Sequence, residues 1–366
     1  MNNVKRKPTL SVVIPSYRSV HLDFVLEGIK GVGAVEILVV NSSEVKPDIK
    51  DDNITIIQMP ERMMPGKARN EGARLAKGDF LLFVDSDIVF TDKTRSFLET
   101  HLTDAREGRI TCGVYARDHE GAGYFTRLQN RVVSYRYHTC SRLNNGVGGS
   151  SHMLVSRMDF ERIGGFNEFL ETYEDFEFVS RARRFGVMTD VYPEFEAVHL
   201  KEYTFPSLIA DYWLKTFNAI RVRRLYPEVF KGVTYNLGLI AGTWMAMAVL
   251  PVLLLASFLV PAPEYVIALT ALVLISPVIL WRSVFPGDGL KLRLGVLVIW
   301  PPLGITVFGA SVVSQAAWLL SVGRMAVMEG SDYFTALTRV AFRRGKPVQI
   351  INYVTARCNL RCEHCF

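Results

Sequence analysis

The chain has 366 residues, with 42 Lys and Arg against 36 Asp and Glu, for a formal net charge of +6. That length accommodates about two domains. A charge this modest, with no basic stripe interleaved with aromatics in residues 1–200, speaks against a nucleic-acid-binding surface there.

Residues 1–10 carry Lys5, Arg6 and Lys7 but lack the roughly 7–15 apolar residues of a secretory signal. The N-terminal half is therefore expected in the cytosol. Residues 10–14 form an apolar run ending at Pro15, and residues 21–30 are helix-like. Residues 35–40 and 54–59 are further Val/Ile/Leu-rich strands, residues 65–76 a helix stopped by Gly78, and residues 80–84 a fourth strand. Apolar runs without alternation belong to strands buried on both faces, and their alternation with helices predicts a parallel α/β sheet. Such sheets bind ligands at the carboxyl ends of their strands.

Residues 110–200 are less regular. They hold a small-residue run at 146–151, a short strand at 153–155, a segment at 160–165, and a helix bearing Glu171, Glu174, Asp175 and Glu177 that runs to Phe185 and stops at Gly186. His199 follows another short strand. Residues 205–230 set Tyr212, Trp213 and Phe217 against Arg and Lys, a pattern for a helix in the membrane interface or one packed on the soluble domain. Residues 236–260 are long enough to span a bilayer, which takes roughly 20 residues. Residues 265–281 are a shorter candidate span, and residues 294–320 a third, broken by Pro301-Pro302. Arg221, Arg223, Arg224 and Lys231 flank the first span, and the connection at 261–264 has no Lys or Arg. By the positive-inside rule the basic ends are cytoplasmic, in a multi-pass protein of the cell inner membrane.

The stretch Phe80-Leu81-Leu82-Phe83-Val84-Asp85-Ser86-Asp87 carries chemistry. Asp-x-Asp alone is weak, but here it comes directly off a buried strand, where the sheet presents ligands. Two residues apart on extended chain, the carboxylates share a face and offer hard oxygens to Mg²⁺ or Mn²⁺, which neutralises a diphosphate. Downstream, Gly164-Gly165-Phe166-Asn167-Glu168 precedes Glu174-Asp175. An acid opening a helix is also a common cap. A pair of acids after a tight Gly-Gly turn favours a site.

Together with Ser11-Val12-Val13-Ile14-Pro15-Ser16-Tyr17, Gly66-Lys67-Ala68-Arg69-Asn70-Glu71-Gly72 and Gly78-Asp79, these motifs make residues 10–200 resemble the family 2 glycosyltransferases of the GT-A fold. The resemblance implies an α/β nucleotide-sugar domain over residues 1–204, with a mixed, mainly parallel sheet and inversion at the anomeric carbon. An interfacial segment (205–232), a transmembrane region (233–323) and a cytosolic linker (324–346) follow. The resemblance places Pro15, Ser16 and Tyr17 in the base pocket, and Asp85 near the nucleoside. Asp87 falls on the metal bound to the diphosphate, with His199 as a further metal or phosphate contact. Lys67, Asn70, Ser86 and Glu174 fall among the residues facing the nucleotide-sugar donor, and Asp175 on the general base. Many relatives have an acid after the second strand. Here Asn41 stands there and can still hydrogen-bond a base edge, so this departure leaves the nucleotide open rather than the reaction. Soluble site and apolar segments together imply a lipid or lipid-linked acceptor.

Residues 347–366 hold Cys358, Cys362 and Cys365 after a strand at 349–354. This spacing resembles the opening of a radical S-adenosylmethionine domain, in which three cysteines hold a 4Fe-4S cluster and S-adenosylmethionine takes the open iron. The barrel of that chemistry would lie beyond Phe366, so the cluster and S-adenosylmethionine are expected only in a longer form. A zinc site with His364 as fourth ligand is the alternative.

Overall fold

The computed structural model describes residues 8–143, 148–229 and 309–318, and the single positions 284, 287, 303 and 306. The first half alternates strand and helix: β1 (Leu10–Ser16), α1 (Leu22–Ile29), β2 (Glu36–Asn41), β3 (Ile54–Gln58), α2 (Pro65–Leu75), β4 (Phe80–Val84) and β5 (Ile88–Phe90). The second half contains α3 (Asp92–Asp104), β6 (Arg109–Tyr115), α4 (Tyr124–Leu143), β7 (His152–Ser156), α5 (Arg157–Ile163), α6 (Glu174–Ala182), β8 (Met188–His199) and α7 (Phe205–Leu225).

The eight strands form one mixed sheet in the order β3-β2-β1-β4-β7-β6-β8-β5. β3, β2, β1 and β4 run parallel. β7 is antiparallel to both β4 and β6, which puts a reversed strand in the middle. β8 runs parallel to β6 and antiparallel to the edge strand β5.

Every residue of β4 is buried, and successive side chains feed opposite cores. Phe80, Leu82 and Val84 join Val12, Ile14 and the apolar faces of α1 and α3. Leu81 and Phe83 join Val13, Phe160, Phe166 and Phe178 under α2, α5 and α6. This two-sided burial is why the strands read as unbroken apolar runs, with each Leu or Val contributing about 1.5–3 kcal/mol. Gly72 lets α2 settle close on the sheet, because a Cβ there would collide with the Val13 side chain. The first turns of α2 are thereby brought to the carboxyl ends of β1 and β4.

Several expected boundaries shift. Pro15 lies inside β1 rather than ending it, paired opposite Val40 in a parallel ladder. The acidic helix begins at Glu174, so Glu171 lies outside it, and its last turn is a 3₁₀ segment, Arg183–Phe185, closed by Gly186 in the left-handed region. The strand before His199 is 12 residues long, and His199 is its last residue.

α7 packs on the α/β domain. Leu208 is buried with Leu128 and Val132 of α4, and Tyr212 donates to Gln129 at 3.1 Å. Residues 309–318 are helical and lie along α7, with the Ser314 hydroxyl on the Phe217 carbonyl at 3.2 Å and Arg224 4.2 Å from the centre of the Trp318 ring. Among the described residues no helix is long and apolar enough to cross a membrane. The expected spans at 236–260 and 265–281, and the cysteine-bearing tail at 347–366, lie outside the described residues. So does most of the span at 294–320.

Candidate active site

The Asp85-Ser86-Asp87 segment is a tight turn between β4 and β5, not extended chain, with Ile88 N donating to Asp85 O at 3.1 Å. Its two carboxylates therefore part company instead of sharing one face. Asp85 turns to α2 and Asp87 to the end of β8. Ser86 holds the turn through its carbonyl, which accepts from the Ser19 hydroxyl at 2.7 Å.

Asp87 Oδ2 lies 3.3 Å from His199 Nε2. The register sets this pair, because Ile88 faces His199 across the β5–β8 ladder and Leu200 N donates to Asp87 O at 2.8 Å. Burial works to raise the Asp87 carboxyl, but the His199 hydrogen bond and the charges of His199, Lys201 and His21 hold it below the usual carboxylate range. The carboxylate is a hard donor of the kind Mn²⁺ and Mg²⁺ take, and the imidazole beside it is a softer nitrogen donor. Among the described residues no three His, Cys, Asp or Glu side chains converge on one point, so the protein offers two donors and a diphosphate and water would complete the sphere.

Arg69 joins the two halves of the site. It is 3% exposed, with one guanidinium nitrogen 2.5 Å from Asp85 Oδ1 and another 2.7 Å from Glu174 Oε1. Its Nε has no hydrogen-bond partner among the described residues, and the Phe166 ring lies beneath it at 5.4 Å. Burial opposes the charge on Arg69, but Asp85 and Glu174 more than restore it. The planar fork answers two carboxylates at once, which a lysine ammonium does not.

Glu174 and Asp175 open α6. The turn into this helix passes through Tyr173, held in the left-handed region at φ +67°, a costly conformation for a residue with a Cβ. Asp175 Oδ1 accepts from Phe176 N at 2.8 Å and Oδ2 from Ser150 N at 3.2 Å. Burial pushes the Asp175 carboxyl above its usual range, and Arg69 with these two backbone donors pulls it part of the way back. Burial and the charge of Asp175 raise Glu174 against the pull of Arg69. Gly149 passes beneath Asp175, where a Cβ would come within 2.5 Å of the Tyr137 hydroxyl and 3.4 Å of Asp175 Oδ2.

Asn70 and Asn41 have structural duties. Asn70 Oδ1 accepts from Phe166 N at 2.8 Å and its Nδ2 donates to Phe166 O at 2.9 Å, which clamps the turn that leads to α6. That turn needs Gly165, at φ +68°, where a Cβ would stand 2.7 Å from Asn70 Oδ1. Asn41 is 1% exposed, and its amide donates to Val45 O at 3.0 Å and Gln58 Oε1 at 2.8 Å. As placed, Asn41 has no amide hydrogen left for a base edge. Ser16 is likewise buried, its carbonyl accepting from Ser42 N at 2.9 Å. Pro15 is half-buried within β1. Tyr17 is open to solvent, with the guanidinium groups of Arg62 and Arg18 over its ring at 4.9 and 5.3 Å. Lys67 is half-buried on the first turn of α2.

Residues 11–164 match the sequence profile of the family described as Glycosyl transferase family 2. They form a family 2 glycosyltransferase domain. The chain is 26% identical over 183 residues to an uncharacterized glycosyltransferase of Haemophilus influenzae, an alignment covering 46% of this chain and 60% of that relative. The chain thus spans about three fifths of the length of that relative. Among solved structures, the chain is similar to the mannosyltransferase PcManGT from Pyrobaculum calidifontis in complex with GDP-Man and Mn²⁺, with 13% identity, a TM-score of 0.47 and coverage of 85% of this chain and 88% of that one. It is also similar to TarS of S. aureus, with 18% identity, a TM-score of 0.37 and coverage of 60% and 40%. Likenesses this distant say nothing of donor, metal or acceptor here.

Proposed function

We propose that the glycosyltransferase domain moves a sugar, of the hexosyl class, from a nucleotide-sugar donor to a hydroxyl on a lipid or lipid-linked acceptor, with inversion. The observation that carries this reading is the Arg69 bridge, which draws the Asp85 turn and the Glu174-Asp175 helix start to one place. In this reading Asp175 accepts the proton of the acceptor hydroxyl as its oxygen attacks the anomeric carbon, and the nucleoside diphosphate leaves. One base suffices for a single displacement. The raised pKa of Asp175 suits a group that must take a proton near neutral pH. Asp85 and Tyr17 face the nucleotide. Asp87 and His199 hold Mn²⁺ or Mg²⁺, which supplies positive charge to the diphosphate.

Apolar segments at 236–260, 265–281 and 294–320 anchor the chain as a multi-pass inner-membrane protein, with the catalytic domain in the cytoplasm. The exposed Trp213, Leu214 and Leu225 of α7, beside exposed Arg221 and Arg223, suit a helix lying close to the headgroups.

The test is turnover of a panel of nucleotide sugars by the full chain in detergent with bacterial lipid extract. Release of nucleoside diphosphate from one donor, lost with chelator and in Asp87→Ala, supports the reading. No binding of any donor in the presence of Mn²⁺ or Mg²⁺ sinks it.

A second reading draws on Cys358, Cys362 and Cys365, a cluster-binding triad that would act in a chain continuing past Phe366. Such a chain should purify brown, with iron and sulfide, and a colourless, iron-free preparation made without oxygen would rule the cluster out.

A further inference from the structure

Lys201 and Lys215 share one largely buried carboxylate. Lys201 Nζ lies 2.9 Å from Asp211 Oδ1 and Lys215 Nζ lies 2.8 Å from Asp211 Oδ2. Asp211 is 11% exposed, while the lysines are 41% and 48% exposed. Both oxygens of one acid are thus taken by two cations, each of which keeps further N–H donors. The Lys201 ammonium also sits 4.9 Å from the centre of the Tyr203 ring, which fixes its stem.

The location of this fork ties it to both halves of the site. Lys201 follows His199 by two residues, and between them Leu200 N donates to the Asp87 carbonyl. On the other side, the backbone carbonyl of Lys215 accepts from the Tyr173 hydroxyl at 3.1 Å, and Tyr173 caps the helix that begins with Glu174 and Asp175. Two ammonium groups crowded onto one acid are under-compensated, and a further anion between them would relieve the repulsion.

We propose that Lys201 and Lys215, positioned by Asp211, form an anion subsite that takes a phosphate group beside the reaction centre. This rests on the glycosyl-transfer reading and adds to it a ligand phosphate bound outside the Asp87–His199 pair. The phosphate has two possible sources, the diphosphate of the donor or a phosphate on a lipid-linked acceptor. The ammonium groups act as point charges and serve either.

The test uses the full chain in detergent as parent, Lys215→Gln, Lys215→Arg and Asp211→Asn, with thermal unfolding as a check on the fold. Calorimetry measures binding of UDP and GDP with Mn²⁺, and of octyl phosphate with octanol as its uncharged control. Loss of one charge-assisted contact should weaken the affected ligand about 10-fold or more. A fall for octyl phosphate alone in Lys215→Gln supports the subsite and assigns it to the acceptor. A fall for the nucleoside diphosphates supports it and assigns it to the donor. Lys215→Arg should retain binding, and Asp211→Asn, which keeps both lysines but not their placement, should lose it. Unchanged affinities for all ligands in a folded Lys215→Gln overturn the subsite and leave a structural ion pair. If Lys215→Gln does not fold, unchanged affinities in Asp211→Asn overturn it equally. A parent that binds octyl phosphate through Lys215 but no nucleoside diphosphate would sink the transferase reading while leaving the subsite standing.

Discussion

The guanidinium of Arg69 lies 2.7 Å from the carboxylate of Glu174, a residue 105 positions further along the chain. The same guanidinium holds Asp85, so one buried cation sets the distance between the strand end and the helix start that make up the site. Breaking a buried, hydrogen-bonded ion pair by removing one partner costs about 3–5 kcal/mol. Arg69→Met should therefore lower the unfolding free energy by about that amount. Arg69→Lys should stay closer to the parent in stability but lose at least roughly 10-fold in turnover, because a point charge does not span two carboxylates. Denaturant midpoints and kcat/KM, measured together, separate the two effects, and an Arg69→Lys variant with parental turnover would remove the bridge from the mechanism.

Asp175→Asn should reduce transfer by about 10²–10⁴-fold with donor affinity preserved, as expected when a general base is lost from an otherwise intact pocket. Because burial raises the Asp175 pKa and a base must be ionised, turnover in the parent should fall on the acid side from a pH above the ordinary aspartate value of about 3.9. A rate that stays flat down to that value would assign the proton to another group.

Asp87→Ala and His199→Ala should both shift the metal requirement, and to different degrees. Asp87 contributes charge and oxygen, so its loss should abolish metal-dependent turnover. Loss of His199 removes one nitrogen donor and should raise the Mn²⁺ concentration needed for half-maximal rate while leaving metal-dependent turnover measurable. Metal titrations of the two variants check this, and a His199→Ala curve that overlays the parent would make His199 a partner of Asp87 alone.

His152 predicts how the fold responds to acid. It is 1% exposed, with Nε2 3.1 Å from the carbonyls of both Val114 and Phe195 and Nδ1 3.0 Å from the Ser151 hydroxyl. Two carbonyls facing Nε2 make it the donor and leave Nδ1 to accept, which suits the neutral ring. Burial pushes its pKa down to about 4. The unfolded chain then binds a proton that the folded one refuses between about pH 6.5 and 4, so stability is full above that window and is lost as pH falls through it. About 3 kcal/mol should disappear from this residue, with no further loss from it below about pH 4. The His152 ring signal in an NMR titration should remain neutral to near pH 4, and a midpoint near 6.5 would refute the assignment.

The parallel half of the sheet was legible because β1, β2 and β4 are buried on both faces. β4 has the expected bounds, and the starts of β3 and α2 fall where expected, since each begins beside a charged or turn residue and carries an unbroken signal. β5 was not, because three residues after a turn carry too little pattern to separate from the loop. The direction of β7 was also hidden, as antiparallel pairing depends on partners 72 positions away, such as Leu82 and Leu154. Within the site, Asp87 and His199 come together as a pair. Arg69 lies in the Gly66–Gly72 motif, whose resemblance assigns it no role. Its signal was present: Gly66, Arg69, Gly72 and Ala73 share the buried face of α2, and a charge on a face of small residues demands a buried partner. Asn70 and Asn41 are both engaged by hydrogen bonds within the fold, and a polar residue at a strand or helix end serves a backbone turn as readily as a ligand.

The reversed strand at the centre of the sheet has a consequence for how the protein is made. One edge of β4 is covered by β1 as soon as it emerges, but the other waits for β7, whose last residue is Ser156. Translation at about 5–20 residues per second leaves Phe-Leu-Leu-Phe-Val with an open edge for roughly 4–14 s. Such a segment, apolar and uncharged, is a template for pairing with a neighbouring nascent chain. Crowded polysomes are therefore the most hazardous setting for this domain, and slower synthesis at lower temperature lengthens the exposure while it weakens the attraction.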